Sequence, residues 1–451
     1  MVKVLIPSGA LGLNYDKAAL ARGLAQNPDI IAIDGGSTDS GPAYLGQGVS
    51  KYARSSIKIE WKGLMVARQE ANVPLVIGTA GTCGTDSAVN WLLDITKEIA
   101  AELGQTLKIA VLRSSQDAEI LATAFDSGRV TPLPAAPEIT RESFAECSNI
   151  VALAGAEQIA AAIQTGADVI IAGRTTDTAT IAALPLMKNL HAGAAWHGAK
   201  IGECGALCAT NPQSGVVMIE FDANGFTVTP MAEDSAANPH TVSAHMLYEN
   251  SDPFILYEPG GHLDVTGAKY MALDARRVRV EGSEWVPSDT YTVKLEGAKI
   301  QGYQTVLMVL LRDKHYVENA QIWADDIHAK CSEKVQDRMG LHKEDYSIEL
   351  RLIGQNASFG SLETNTNPAP EIGILAIVTA NTQAIAEEIG QMLNPYLLHH
   401  PLTREEEQPT FAFPFSPASL NRGAVYGFCL NHTLTLDNPM DAFSLEVIQH
   451  G

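Results

Sequence analysis

No stretch of this chain holds eighteen apolar residues in a row, so a membrane-crossing helix is not expected. Positive charge is scarce. Lys and Arg number 31 against 52 Asp and Glu, and the net charge of −21 opposes general attraction to nucleic-acid backbones or anionic lipid. The acids are spread along the chain and form no tail, a pattern that serves solubility; an anionic ligand would need a local Arg or Lys to hold it. Cysteine is thin: Cys83, Cys147, Cys204, Cys208, Cys331 and Cys429, with only Cys204 and Cys208 close together, at a spacing unusual for zinc. The opening MVKVLIPSGALG has no charged lead, long apolar core or cleavage signature, so it reads as a first strand and not as a secretion signal. Reduced thiols and a cytoplasmic setting are therefore expected. There is no low-complexity tract and no repeat of solenoid period.

What is present is a globular composition, 46% apolar and 18% charged over 451 residues, enough for two or three domains. The first ~190 residues repeat one pattern. Short Val- and Ile-rich runs (VKVLIP, DIIAID, VPLVIG, LKIAVL, NIVALAG, ADVIIAG) end at small polar residues and give way to segments with helical spacing. That alternation predicts an α/β domain over 1–200, a parallel sheet with helices on both faces. Residues 201–300 read as a β-rich segment packed on it, with Asn224-Gly225 as a hairpin signal. Residues 301–451 order as β-α-β-β-α-β, the ferredoxin-like α+β arrangement.

Ligands of an open parallel sheet bind beyond the carboxyl ends of its strands, and there the sequence is polar. Ser8 follows the first run. Asp34, Gly35, Gly36, Ser37, Thr38 and Asp39 follow the second, Gly78, Thr79, Gly81, Cys83 and Asp86 the third, and Arg174, Thr175 and Asp177 the sixth. Asp86 and Asp177 also suit helix N-termini. Asp34 ends an apolar strand before two glycines, where no helix start needs it, which points to ligand or catalytic work. Arg174 is the best-placed cation on this rim, suited to gripping a carboxylate or phosphate. The glycine loop GTAGTCG fits no nucleotide fingerprint, so neither NAD nor flavin is expected, although its amides could cradle an anion. In GECGALCATN, Glu203 and Cys204 are candidate acids or nucleophiles, while Cys208 reads as a buried structural thiol. His240 and His245 are too far apart around a helix for a paired metal motif.

Three segments in order, GADVIIAGRTTDTA, GECGALCATN and HTVSAHMLYENSDP, resemble the acyclic terpene utilisation A (AtuA-like) family, and IDGGSTDSGPAYLG is similar to a subgroup of it. The resemblance implies breakdown of carboxylates or acyl thioesters in the cytoplasm. It adds Tyr248, Glu249 and Asp252 to Arg174, Asp177, Glu203 and Cys204 as site candidates. It also implies a small partner subunit or an oligomer, because longer members carry a further C-terminal domain.

The function expected is a lyase of hydratase or dehydratase type acting on a small anionic metabolite or its thioester. Arg174 would clamp the substrate, Asp34 or Asp39 would act as base, and Glu203, Cys204 or His240 as acid. Ser8, Ser37, Thr38, Gly78, Thr79, Gly81, Cys83, Asp86, Thr175, Asp177, Tyr248 and Glu249 would line the substrate. A divalent metal held by rim carboxylates is an alternative electrophile. The competing expectations are a metabolite-binding or scaffold subunit without catalysis, and a metal-dependent hydrolase.

Overall fold

The structure, a computed structural model, describes residues 1–365, 367 and 369–451. The chain forms two compact units, 1–299 together with 428–451, and 300–427. The stretch 201–299 thus belongs to the first unit, and residues 428–451 return to it.

The predicted α/β architecture is present in the first unit. Five of the apolar runs, Val2–Ile6, Ile30–Asp34, Leu75–Gly78, Val169–Ala172 and Leu107–Arg113, lie side by side in that order, all parallel. Their side chains alternate between two cores, as the pleat requires. Val4, Ile6, Ile30, Ala32, Val76, Ala110, Leu112 and Ile170 face one; Leu5, Ile31, Ile33, Leu75, Ile77, Ile109, Val111 and Ile171 face the other. Helices Ala156–Gln164, Ala179–Met187 and Ala192–Gly202 cover the first core, and Arg54–Ala71 and Asp86–Leu103 the second. Helix Asp86–Leu103 illustrates how sequence sets this. Its buried positions Ala88, Val89, Leu92, Leu93, Ile95, Thr96, Ile99 and Ala100 recur every three or four residues. Thr85 accepts the Ala88 amide at its start, and Gly104 ends it in the left-handed region.

The fifth run in chain order behaves differently. Asn149–Ala152 leaves the parallel sheet and pairs antiparallel with Leu295–Ala298. An apolar run reports burial, not the identity of its partner. Antiparallel strands extend both edges of the parallel set. Val217–Phe221 runs against Val2–Ile6 with Ile6 opposite Val217, and Gly225–Pro230 follows as its hairpin partner. Ser444–His450, which the sequence does not announce as a strand, lies against Leu107–Arg113.

The second unit has the predicted ferredoxin-like order. Strands Tyr346–Ile353, Ile372–Ala380, Tyr291–Leu311 and Ser419–Leu436 neighbour one another in that sequence, the first and last of these in the chain continuing into the first unit. Helices Ala320–Met339 and Gln383–His399 bury Trp323, Ile327, Ile389 and Leu393 in a core with Leu307, Val309, Ile374 and Ala376. No helix among the described residues is long and apolar enough to cross a membrane.

Candidate active site

At the carboxyl ends of strands Val2–Ile6 and Ile30–Asp34, with Asp177 from the chain after Val169–Ala172, a cleft of about 400 Å3 opens. The register explains which segments meet there. Because Val217 opposes Ile6, the chain entering that antiparallel strand, residues 203–215, lies over the same sheet edge as the loops after Ile6 and Asp34. Ser8, Asp34, Ser37, Asp39, Asp177, Glu203, Cys204, Tyr248 and Glu249 all line the cleft. Tyr52, Asn14 and Gln213 line it too, without any signal in the sequence.

The remaining candidates stand elsewhere. Thr38, Gly78, Thr79, Gly81, Arg174 and Thr175 form the packed layer beneath the floor. Cys83 is buried against Thr85 and the Val49 carbonyl, away from the cleft. Asp86 occupies the first turn of its helix, 4.0 Å from Arg113. His240 is exposed on the first turn of helix Pro239–Ala244. It is His245, five residues on, that is buried beside Cys204. The helix ends at Ala244 and the chain tightens into the turn His245–Leu247, so the two histidines face opposite ways in solvent exposure.

Arg174 is the hub of the layer below the cleft. Its Nε donates to Glu296 Oε2 at 3.0 Å, Nη1 donates to Thr79 Oγ1 at 3.2 Å and to the Thr175 carbonyl at 3.3 Å, and Nη2 donates to Thr38 Oγ1 at 3.3 Å. Asp177 Oδ1 lies 3.5 Å from Nη1. The guanidinium is therefore engaged by the protein itself and does not front the cleft. Glu296, 4% exposed, is the partner no motif disclosed. Burial opposes its charge, but Arg174 and Lys294 outweigh this and hold it ionised, down to about 2.

Thr79 and Thr82 adopt left-handed backbone conformations, φ +46° and +76°, which β-branched residues rarely accept. Two such residues in one loop is a local cost of roughly 1–3 kcal/mol each. The return is placement: the bend lets Thr79 Oγ1 take the hydrogen bond from Arg174. Gly84, φ +64°, brings the same loop against the neighbouring strand end, where a Cβ would stand 2.1 Å from the Arg174 amide nitrogen. Gly84→Ala is therefore expected to destabilise the protein by about 2 kcal/mol. The check is a lowered urea midpoint at unchanged slope.

Acids dominate the cleft electrostatics. Asp34 is 7% exposed; its Oδ2 accepts the Gly36 amide at 3.1 Å, and Oδ1 has no partner. Burial pushes its carboxyl well above the usual range, Asp177 adds to this, and Arg174 opposes it. Burial likewise raises Asp177, although 28% of its side-chain surface is open. Glu203 is pushed up to about 8, by burial first, against the pull of Lys200, whose ammonium donates to Oε1. Burial raises Glu249, Tyr248 and the Cys204 thiol, and lowers His245 to about 4, leaving its imidazole neutral. Among the described residues, five carboxyls, Asp34, Asp39, Asp177, Glu203 and Glu249, face the cleft, and no basic side chain lines it. Leu13 and Leu207, 60% and 44% exposed, give the mouth an apolar element beside the exposed Asn14, Asp39, Gln213 and Glu249. One carboxylate oxygen of Glu203, the sulfur of Cys204 and a ring nitrogen of His245 lie within 4.8 Å of one another, a set able to ligate a metal.

A family model described as acyclic terpene utilisation family protein AtuA matches residues 50–412. That span takes in Arg174, Asp177, Glu203, Cys204, Tyr248 and Glu249, whereas Ser8, Asp34 and Asp39 lie before it. No curated protein and no solved structure matches the chain.

Proposed function

This chain belongs to the acyclic terpene utilisation AtuA family, and from that premise we propose an acid–base enzyme of hydro-lyase type, which adds or removes water on a small acyl substrate. One observation carries the reading: a cleft at the parallel-strand ends has a floor of carboxyls in unlike environments. Carboxyls whose surroundings separate their proton affinities are the means by which one site supplies both an acid and a base. The absence of a basic side chain from the lining favours a reacting end that is neutral, an acyl thioester in preference to a free carboxylate. Leu13 and Leu207 offer apolar contact to a branched hydrocarbon chain of the kind the family's description evokes.

In the dehydration direction, the carboxylate of Asp39, on the solvent side of the floor, takes the proton from the carbon next to the thioester carbonyl. The electron pair left behind forms the carbon–carbon double bond as the bond to the adjacent hydroxyl breaks. Asp34, kept protonated by burial and by Asp177, gives its proton to the departing hydroxyl, which leaves as water. Arg174 is a positioning residue here. It holds Asp177 and the Thr79 loop beneath the floor.

The test is turnover of branched 3-hydroxyacyl and 2-enoyl thioesters, followed by the conjugated-enoyl absorbance. Asp34→Asn and Asp39→Asn should each lower kcat by about 100-fold or more with the fold intact by circular dichroism. Undiminished rates in both, or thermal stabilisation by such a thioester with no turnover, would overturn the assignment.

A further inference from the structure

The cleft lacks one thing its chemistry needs, a positive charge on its surface. Arg174 and Lys200 lie behind the wall and are already paired, with Glu296 and Glu203, and Lys51 stands outside the lining with its ammonium on Ser40 Oγ at 2.8 Å. The wall formed by 203–204 and 245 is where such a charge could be held. Sequence neighbours usually point apart, but Gly205 takes φ +59° and turns the chain directly after Cys204. Gly9 lets that turn close down, since a Cβ there would meet the Cys204 Cα at 3.0 Å. As a result a Glu203 oxygen, Cys204 Sγ and a His245 ring nitrogen converge within 4.8 Å.

The second observation is independent of that convergence. His245 is 4% exposed, and its Nε2 has no hydrogen-bond partner. A buried imidazole nitrogen without a partner is an unmet demand for a donor or a cation. Its ring is held in place by stacking on Tyr248, with centroids 5.4 Å apart and planes at 14°. Lys200 fixes Glu203 through Oε1, the kind of outer partner that orients a ligating carboxylate.

We propose that Glu203, Cys204 and His245 bind one divalent transition-metal ion of zinc type, with a fourth position open to the cleft. The donor set of one thiolate, one imidazole and one carboxylate suits zinc and excludes magnesium or calcium, which take oxygen ligands. Three protein ligands with an open place mark a catalytic site in preference to a structural one. Ligand atoms around zinc sit roughly 3.5 Å apart, so small side-chain rotations close the present spacing. On binding, the Cys204 proton is released to solvent and the sulfur binds as thiolate. That the ion then polarises the substrate's acyl oxygen rests on the hydro-lyase reading above; the site itself does not.

The experiment uses the full chain, stripped with a chelator and titrated with Co2+ alone. One cobalt per chain is expected, with a sulfur-to-cobalt charge-transfer band in the near ultraviolet, displaced by Zn2+. Cys204→Ser should abolish that band, and His245→Ala should weaken binding at least tenfold. His240→Ala should leave both unchanged. In the unmutated protein Zn2+ should protect Cys204 from alkylation, read by peptide mass, which covers the case in which a variant fails to fold. Substoichiometric binding, binding indifferent to Cys204→Ser and His245→Ala, or alkylation of Cys204 unaffected by Zn2+ would each overturn the site. Because these readouts do not involve turnover, a bound metal with no acyl turnover would reject the hydro-lyase reading and leave the site standing.

Discussion

Arg174→Met is expected to lower the melting temperature by roughly 5–10 °C, the largest stability loss of any single change under the cleft. Arg174 and Glu296 are both almost wholly buried, and the pair is joined at 3.0 Å with further bonds from Thr38, Thr79 and Lys294. Removing the guanidinium leaves the buried Glu296 carboxylate with Lys294 and Thr38 as its remaining partners and Asp177 opposing its charge, a loss approaching the roughly 3–5 kcal/mol of a broken buried pair. The pair as a whole is worth much less than that, because desolvating both charges offsets most of their attraction. Arg174→Met with Glu296→Leu should therefore recover a large part of the stability lost in Arg174→Met alone. Calorimetry or denaturant melts of the three variants check this. A single variant that melts within a degree of the unmutated chain would mean the pair carries no structural load. A double variant worse than the single would mean that packing, not charge, is what Arg174 supplies.

The reach of the sequence can be followed through the same residues. Asp34 was legible because its position is a property of one strand: an apolar run ends, and the next residue must emerge at the rim. The alternation that sorts Val4 and Ile6 from Leu5 is also local, and it predicted the two-faced sheet. Glu296 was not legible. Its role depends on meeting Arg174 from 122 residues away, and nothing in YTVKLEG separates a buried glutamate from a solvated one beyond its placement two residues after Lys294. His240 and His245 look alike in HTVSAHMLYEN; what separates them is the end of the helix at Ala244. NIVALAG reads like the other five runs, yet it pairs with Leu295–Ala298, and Ser444–His450 carries too many polar residues to announce an edge strand. Local pattern predicts which residues reach the rim. Long-range pairing decides which of them face one another.

Four buried carboxyls should pull stability down as pH rises from 4 to 8, against the buried imidazoles of His197 and His245, held at about 3 and about 4, whose neutral forms favour the fold more as pH rises to about 6.5. Burial raises the carboxyls of Asp34, Asp177, Glu203 and Glu258, the last to about 7. A carboxyl whose folded pKa exceeds its unfolded one holds a proton that the unfolded chain would release. Its contribution is complete below the unfolded value, near 4.5, and is lost as pH climbs through the folded value. Glu296 has the reverse sign: held at about 2, its contribution is complete above about pH 4.5 and is lost as pH falls towards 2. Glu258 isolates the effect, since it does not line the cleft. Its Oε1 accepts from Thr178 Oγ1, and Oε2 is buried without a partner. A rise from 4.5 to about 7 corresponds to on the order of 3 kcal/mol lost between pH 4 and pH 8. Glu258→Gln, which imitates the protonated acid, should match the unmutated protein at pH 4 and exceed its stability by about that amount at pH 8. Melting curves of the two proteins across this range decide the matter: profiles that run parallel would show that Glu258 is ionised in the native state and that burial does not set its charge.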